Sequence, residues 1–247
     1  METPHADVRS LEERAFNAWP ALSTQLVDGW VLRFSAGYTK RANSVNALQP
    51  ARPVSEIIDL ARPLFARADL PLVVRLSPLA GPSADTVLAA DGFRHLDETL
   101  VMTAPLDGSA GMDRSVLITP APLKDWSDGF AAANAVPALH RATHDTMLAS
   151  IRFPAAFATL VENGQAIAWG LAVLERGMVG LFDIVTAPAA RRRGAGRRLV
   201  VSLLTWGHEM GATGAYLQVV ATNHVALALY RDLGFSEAYR YHYRVSP

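Results

Sequence analysis

The stretch Arg191-Arg192-Arg193-Gly194-Ala195-Gly196 constrains this chain more than any other. It joins two apolar runs. The first, Met178 to Thr186, reads as a buried strand that stops at Pro188. In the second, Leu199, Val200, Leu203, Leu204 and Met210 recur at helical spacing until Gly211 supplies a stop. A strand that turns through glycines into a helix start presents several free backbone N–H groups at one spot. Those groups and the helix dipole favour an anion, and Arg191, Arg192, Arg193, Arg197 and Arg198 add charge around it. The stretch reads as a phosphate-binding turn. An arginine run of this kind has two other readings, a solvated helix start and a nucleic-acid patch.

Two phosphate-binding patterns are excluded. A P-loop needs a Lys and a Ser or Thr after its second glycine, and neither is here. The dinucleotide fingerprint needs a third glycine where Leu199 stands. Further on, Ala215 to Val220 is a second strand-like run ending at Ala221-Thr222-Asn223. A short helix with Val225, Leu229 and Leu233 apolar follows and closes on Gly234. Asn223 is a good N-cap for that helix, and Tyr230 reads equally as a half-buried core aromatic.

Arg191-x-x-Gly194-x-Gly196, followed by Asn223-x-x-Ala226-x-x-Leu229-Tyr230-x-x-Leu233-Gly234-Phe235, resembles the two signatures of the GNAT superfamily of acyl-CoA N-acyltransferases. The resemblance covers roughly residues 115–247, with its specific residues within 183–235. It implies acetyl-CoA as co-substrate, no metal, and direct attack of an amine on the thioester within a ternary complex. It implies that the backbone at Val185 and Thr186 lines the thioester arm. Arg191, Arg192, Arg193, Gly194, Ala195, Gly196 and Arg197 would hold the pyrophosphate. Asn223 would touch the CoA arm and Tyr230 would stand near the sulfur. A phenol with a reference pKa of about 10 is protonated at neutral pH and can give a proton to a departing thiolate. The attacking amine must lose a proton, and Asp183, on the strand entering the turn, is the candidate base. A carboxylate there could equally be held structurally or bind the acceptor's positive charge. Two other function classes remain open: an acyl-CoA-binding regulatory module without turnover, and nucleic-acid binding through the arginines. The acceptor, a small-molecule or peptide amine, is not identified by the sequence, and neither is the oligomeric state.

Ala155 to Glu162 and Gln165 to Leu174 are strand candidates around the two-residue turn Asn163-Gly164, and Arg176-Gly177 makes a second tight connection. Trp126 to Met147 reads mainly as helix, and a final strand, Ala238 to Val245, is expected to complete the carboxyl half. In the amino half, Leu88-Ala89-Ala90-Asp91-Gly92-Phe93 resembles Tyr230 to Phe235 at a spacing of 142 residues. Val54 to Arg67 reads as helix and Pro71 to Leu76 as strand. Where the glycine turn would recur stands Gln49-Pro50-Ala51-Arg52-Pro53, whose prolines remove two N–H donors. The expectation is therefore α/β, with two GNAT-like mixed, mostly antiparallel sheets flanked by helices. Residues 1–106 would be a degenerate copy, residues 115–247 the catalytic domain, and Leu106 to Asp113 the linker.

A formal net charge of zero weighs against a dedicated nucleic-acid protein. No apolar run approaches the roughly eighteen residues of a membrane span, and no signal-peptide pattern opens the sequence. The absence of cysteine excludes a cysteinyl acyl-enzyme and points to the cytoplasm. His140 and His144 lie four apart on a helix beside Asp145, a spacing that two metal ligands can share. No third ligand is evident, so they read as surface histidines on a substrate-facing helix.

Overall fold

The computed structural model describes residues 7–108 and 111–247, so Ser109 and Ala110 of the expected linker lie outside the described residues. Two compact units emerge. One comprises Met1–Met102, Val219–Leu227 and Glu237–Pro247, the other Thr103–Gln218 and Ala228–Ser236. In chain order the first elements are α1 (Val8–Ala18), β1 (Ser23–Val27), β2 (Trp30–Phe34), β3 (Ser44–Ala47), α2 (Val54–Arg67), β4 (Val73–Leu76), α3 (Ala84–Ala90) and β5 (Arg94–Pro105). Then come β6 (Val116–Thr119), α4 (Lys124–Ala133), α5 (Ala138–Ala149), β7 (Ala155–Glu162), β8 (Gln165–Glu175) and β9 (Met178–Thr186). Next are α6 (Ala195–Glu209), β10 (Gly214–Val220), α7 (His224–Asp232) and β11 (Ser236–Val245).

In the first unit the strands run β1-β2-β3-β4-β11-β5. The β1–β2 and β2–β3 pairs are antiparallel, β3 and β4 are parallel, and α2 makes the crossover between them. Val54, Ile57, Ile58, Ala61 and Phe65 recur at helical spacing on α2 and bury that face against Trp30, Leu32, Val45, Val74, Leu88 and Phe93.

The last strand departs from expectation. Ala238–Val245 does not complete the carboxyl half: β11 pairs antiparallel with β4 in the first unit, His242 opposite Leu76 and Val245 opposite Val73. A buried polar cluster accounts for the placement. Glu12 of α1, wholly buried, accepts from both Arg75 terminal nitrogens and from the Tyr239 hydroxyl of β11. The Arg75 guanidinium also lies 3.6 Å from the centroid of the Tyr241 ring. Ions removed from water hold their charge only with such partners, and β11 supplies two of them.

In the second unit the strands run β10-β9-β8-β7-β6, with β10 parallel to β9 and the other pairs antiparallel. Asn163-Gly164 and Arg176-Gly177 close the hairpins with positive φ at both residues, the mirror-image turn whose twist matches the strands. Successive β8 residues face opposite ways. A Cβ at Gly170 would meet Leu199 and Leu203 of α6, whereas Trp169 lies against Gly129 of α4. Helices thus cover both faces.

The repeat seen in the sequence is present in the backbone. Like β3 and β4, β9 and β10 are parallel strands bridged by a helix. Helices α3 and α7 end alike: Phe93 N–H donates to Leu88 and Phe235 N–H to Tyr230, both at 3.0 Å. Gly92 and Gly234 adopt φ of +80° and +84° at the same step.

Candidate active site

Helix α6 starts at Gly194, whose φ of +81° is a left-handed conformation, and no side chain caps it. The first bond into the helix runs from Arg198 N–H to the Gly194 carbonyl at 3.1 Å. The N–H groups of Ala195, Gly196 and Arg197 have no acceptor among the described residues, so the helix presents unsatisfied donors at its positive end. Nothing crowds Gly194, so glycine is needed there for the backbone conformation. At Gly196 a Cβ would sit 3.5 Å from Thr186 Oγ1, in ordinary contact.

The arginines divide. Arg191 Nε donates to the Thr186 carbonyl at 3.2 Å and braces the turn. Arg192 is exposed with φ +60°, Arg193 lies 3.4 Å from Glu162, and Arg197 lies 3.3 Å from Asp232. Arg198 does not add charge at the turn, contrary to expectation. It donates at 2.6 Å to both Asp113 and Glu162, and its hydrogen bond holds the Asp113 carboxyl below the usual carboxylate range. It is a brace between α6, β7 and the chain before β6.

Strand β9 breaks register just before the turn. Trp169 pairs with Val185 and Leu171 with Phe182, so Asp183 and Ile184 together oppose Gly170. This is a β-bulge, and Asp183 takes φ +49° within it. A Cβ at Gly170 would come within 2.7 Å of Ile184 Cδ1, so that side chain would have to shift. The β9–β10 ladder ends at Leu181–Leu217 although β9 continues to Thr186, so Val185 and Thr186 lie beyond its last registered pair.

Asp183 is buried. Its Oδ2 lies 2.7 Å from Nε2 of His144, which is 1% exposed and packs against Phe130. This corrects the reading of His144 as a surface histidine: the α5 face that carries it also buries Met147 and Leu148. No group of three or more His, Cys, Asp or Glu side chains among the described residues is placed to hold a metal ion.

Tyr230, on α7, is buried edge-to-face against Phe235 at 5.9 Å, and burial pushes its pKa up to about 12. Its hydroxyl has no hydrogen-bond partner among the described residues. Asn223 caps α7: its Oδ1 accepts from Ala226 N–H at 3.1 Å. In the first unit, the stretch at Gln49–Pro53 has its donors taken up within the unit. The N–H groups of Leu48 and Gln49 bond the Gly29 carbonyl, Ala51 N–H bonds that of Asp28, and Arg52 pairs with Asp28 and Glu56.

The family described as "Probable histone acetyltransferase Rv0428c C-terminal" matches residues 5–244. The chain belongs to the GNAT N-acetyltransferases. YobR of Bacillus subtilis, named an uncharacterized N-acetyltransferase, is 28% identical to this GNAT chain over 97% of its length and 98% of YobR's. The ribosomal protein bS18-alanine N-acetyltransferase of Escherichia coli is 35% identical over 79 residues, which are 32% of this chain and 53% of that protein. Among solved structures, a GCN5-related N-acetyltransferase from Kribbella flavida superposes with a TM-score of 0.71 at 16% identity, covering 100% of this chain and 97% of its own. A tandem GNAT protein of the clavulanic acid biosynthesis pathway gives 0.65 at 13% identity, covering 96% of this chain and 87% of its own. Among the described residues, no helix is long and apolar enough to cross a membrane.

Proposed function

We propose that this chain transfers the acetyl group of acetyl-CoA to an amine, in the cytoplasm, with its chemistry in the second unit. The observation that carries the reading is the uncapped start of α6, where three N–H groups without acceptors meet Arg192, Arg193 and Arg197. A pyrophosphate satisfies those donors and the helix dipole together. The backbone of Val185 and Thr186, beyond the last registered β9–β10 pair, receives the thioester arm. Asp183 takes the proton of the amine and the Tyr230 hydroxyl faces the departing sulfur. Holding donor and acceptor together makes the attack effectively unimolecular, which supplies much of the acceleration.

The bS18-alanine enzyme's acceptor is a protein alanine, so an alanine-initiated peptide belongs in the acceptor panel. The rest of the panel is L-lysine, spermidine and an aminoglycoside. Free thiol released from acetyl-CoA is the readout. Release with one of these amines, lost in Gly194→Asp, supports the proposal. Acetyl-CoA binding without release from any amine would make the chain a silent acyl-CoA-binding module, and salt-sensitive binding of an oligonucleotide in its place would move the arginines to nucleic acid.

A further inference from the structure

His144 takes no part in the reading above, yet it is a polar ring 1% exposed, 5.0 Å from the Phe130 ring. Burying an imidazole costs free energy unless its nitrogens find partners. This one is aimed at the β9 residue that the bulge forces into a left-handed conformation, which a non-glycine residue rarely adopts. A buried polar ring and a strained aspartate thus meet in one 2.7 Å contact. Strain of this kind persists where surrounding structure over-determines it, and it concentrates at functional sites. The contact uses Asp183 Oδ2. It leaves Oδ1 with no hydrogen-bond partner among the described residues, on a side chain still 8% exposed.

We propose that His144 is a positioning residue whose Nε2–H fixes the Asp183 carboxylate so that Oδ1 receives the proton of an acceptor arriving as an alkylammonium ion. This rests on the acetyltransfer reading and adds to it the acceptor's charge state and the group that aims the base. The ammonium gives one proton to Oδ1, and the freed nitrogen lone pair forms the bond to the thioester carbon. The carbon–sulfur bond breaks and sulfur leaves with the electron pair. That thiolate takes the second proton released by the new amide nitrogen, and Asp183 returns its own proton to water.

A double-mutant cycle tests the proposal on the full chain, with thiol release from acetyl-CoA and the amine panel as the assay. His144→Phe keeps the ring volume and removes the donor. We expect it to lower kcat about tenfold or more, leaving the KM for acetyl-CoA within about twofold. His144→Gln, which keeps an N–H donor, recovers part of the loss. In the Asp183→Asn background, His144→Phe has no further effect, because its role runs through Asp183. Equal losses in both backgrounds would show a packing role and overturn the proposal, as would a fully active His144→Phe. If His144→Phe does not fold, as judged by circular dichroism, His144→Leu, which also lacks a donor, takes its place in the cycle under the same criteria. A parent chain that releases no thiol with any amine defeats the acetyltransfer reading itself, and this inference with it.

Discussion

A phenol does acid chemistry only when it is protonated, unengaged and close to the leaving atom. Tyr230 meets the first two conditions: burial holds its pKa near 12, and no group among the described residues bonds its hydroxyl. The raised value also limits it. Full transfer from such a phenol to a thiolate with a cysteine-like pKa of about 8.5 runs uphill by several units, so Tyr230 serves better as a hydrogen-bond donor to developing charge than as a complete acid. Tyr230→Phe should therefore lower kcat by about 10²-fold, the low end for such groups, with acetyl-CoA affinity unchanged by calorimetry. A variant that turns over like the parent would reduce the ring to packing. The two glycines of the turn separate just as cleanly. Gly194 sits at φ +81°, where a Cβ costs about 1–2 kcal/mol, so Gly194→Ala should weaken acetyl-CoA binding about fivefold or more. Gly196→Ala meets only ordinary contacts and should bind like the parent. Equal behaviour of the two variants would mean that the left-handed start of α6 does not shape the anion site.

At the scale of elements, the first unit depends on the strand furthest from it in sequence. Glu12, Arg75 and Tyr239 join α1, β4 and β11 inside one buried cluster. Glu12→Ala strands a buried guanidinium, so the first unit should lose about 3–5 kcal/mol in urea unfolding, and a loss below 1 kcal/mol would mean that water reaches Arg75. A second tie runs from Arg244 of β11 to Asp85 of α3, at 2.8 Å and 3.0 Å, beside His242. The Arg244 hydrogen bond holds the Asp85 carboxyl well below its usual range, so the folded state prefers the ionised form. The stabilisation is complete above the unfolded carboxylate value of about 3.9 and drains away as pH falls below it. Stability measured from pH 6 to pH 3 should fall less steeply in Asp85→Asn than in the parent. Much of the element order was legible beforehand. The apolar spacing of Val54–Arg67 marks α2, and Asn163-Gly164 marks a hairpin. The pairing of β11 was not legible, because alternating residues suit any sheet edge and the deciding partner, Glu12, lies 227 residues from Tyr239. His144 misled for a similar reason: an (i, i+4) histidine pair says where two side chains stand on a helix, not which face a bulged strand will cover. Arg198 looked like its neighbours in the run until Asp113 and Glu162 were seen to hold it.

At the scale of the whole chain, the two halves share a backbone plan, but their crossover helices start differently. Where Gly194 opens α6, Pro53 opens α2, and the N–H groups before it already bond the β1–β2 turn. Where Tyr230 opens its six-residue repeat, Leu88 opens the other, buried and without a hydroxyl. The chain should therefore bind one acetyl-CoA, in the second unit. Deleting a half cannot test this, because a chain cut at residue 115 loses β11 and with it the partners of Glu12 and Asp85. The test belongs on the intact protein. Calorimetry of the parent should give a stoichiometry of one, and Gly194→Asp should abolish the heat, because its carboxylate faces the pyrophosphate and its Cβ opposes the left-handed turn. Heat that persists in a folded Gly194→Asp chain, or a stoichiometry of two, would place acetyl-CoA in the first unit, where Arg52→Ala, which frees Asp28 and Glu56, would then be the variant to lose it.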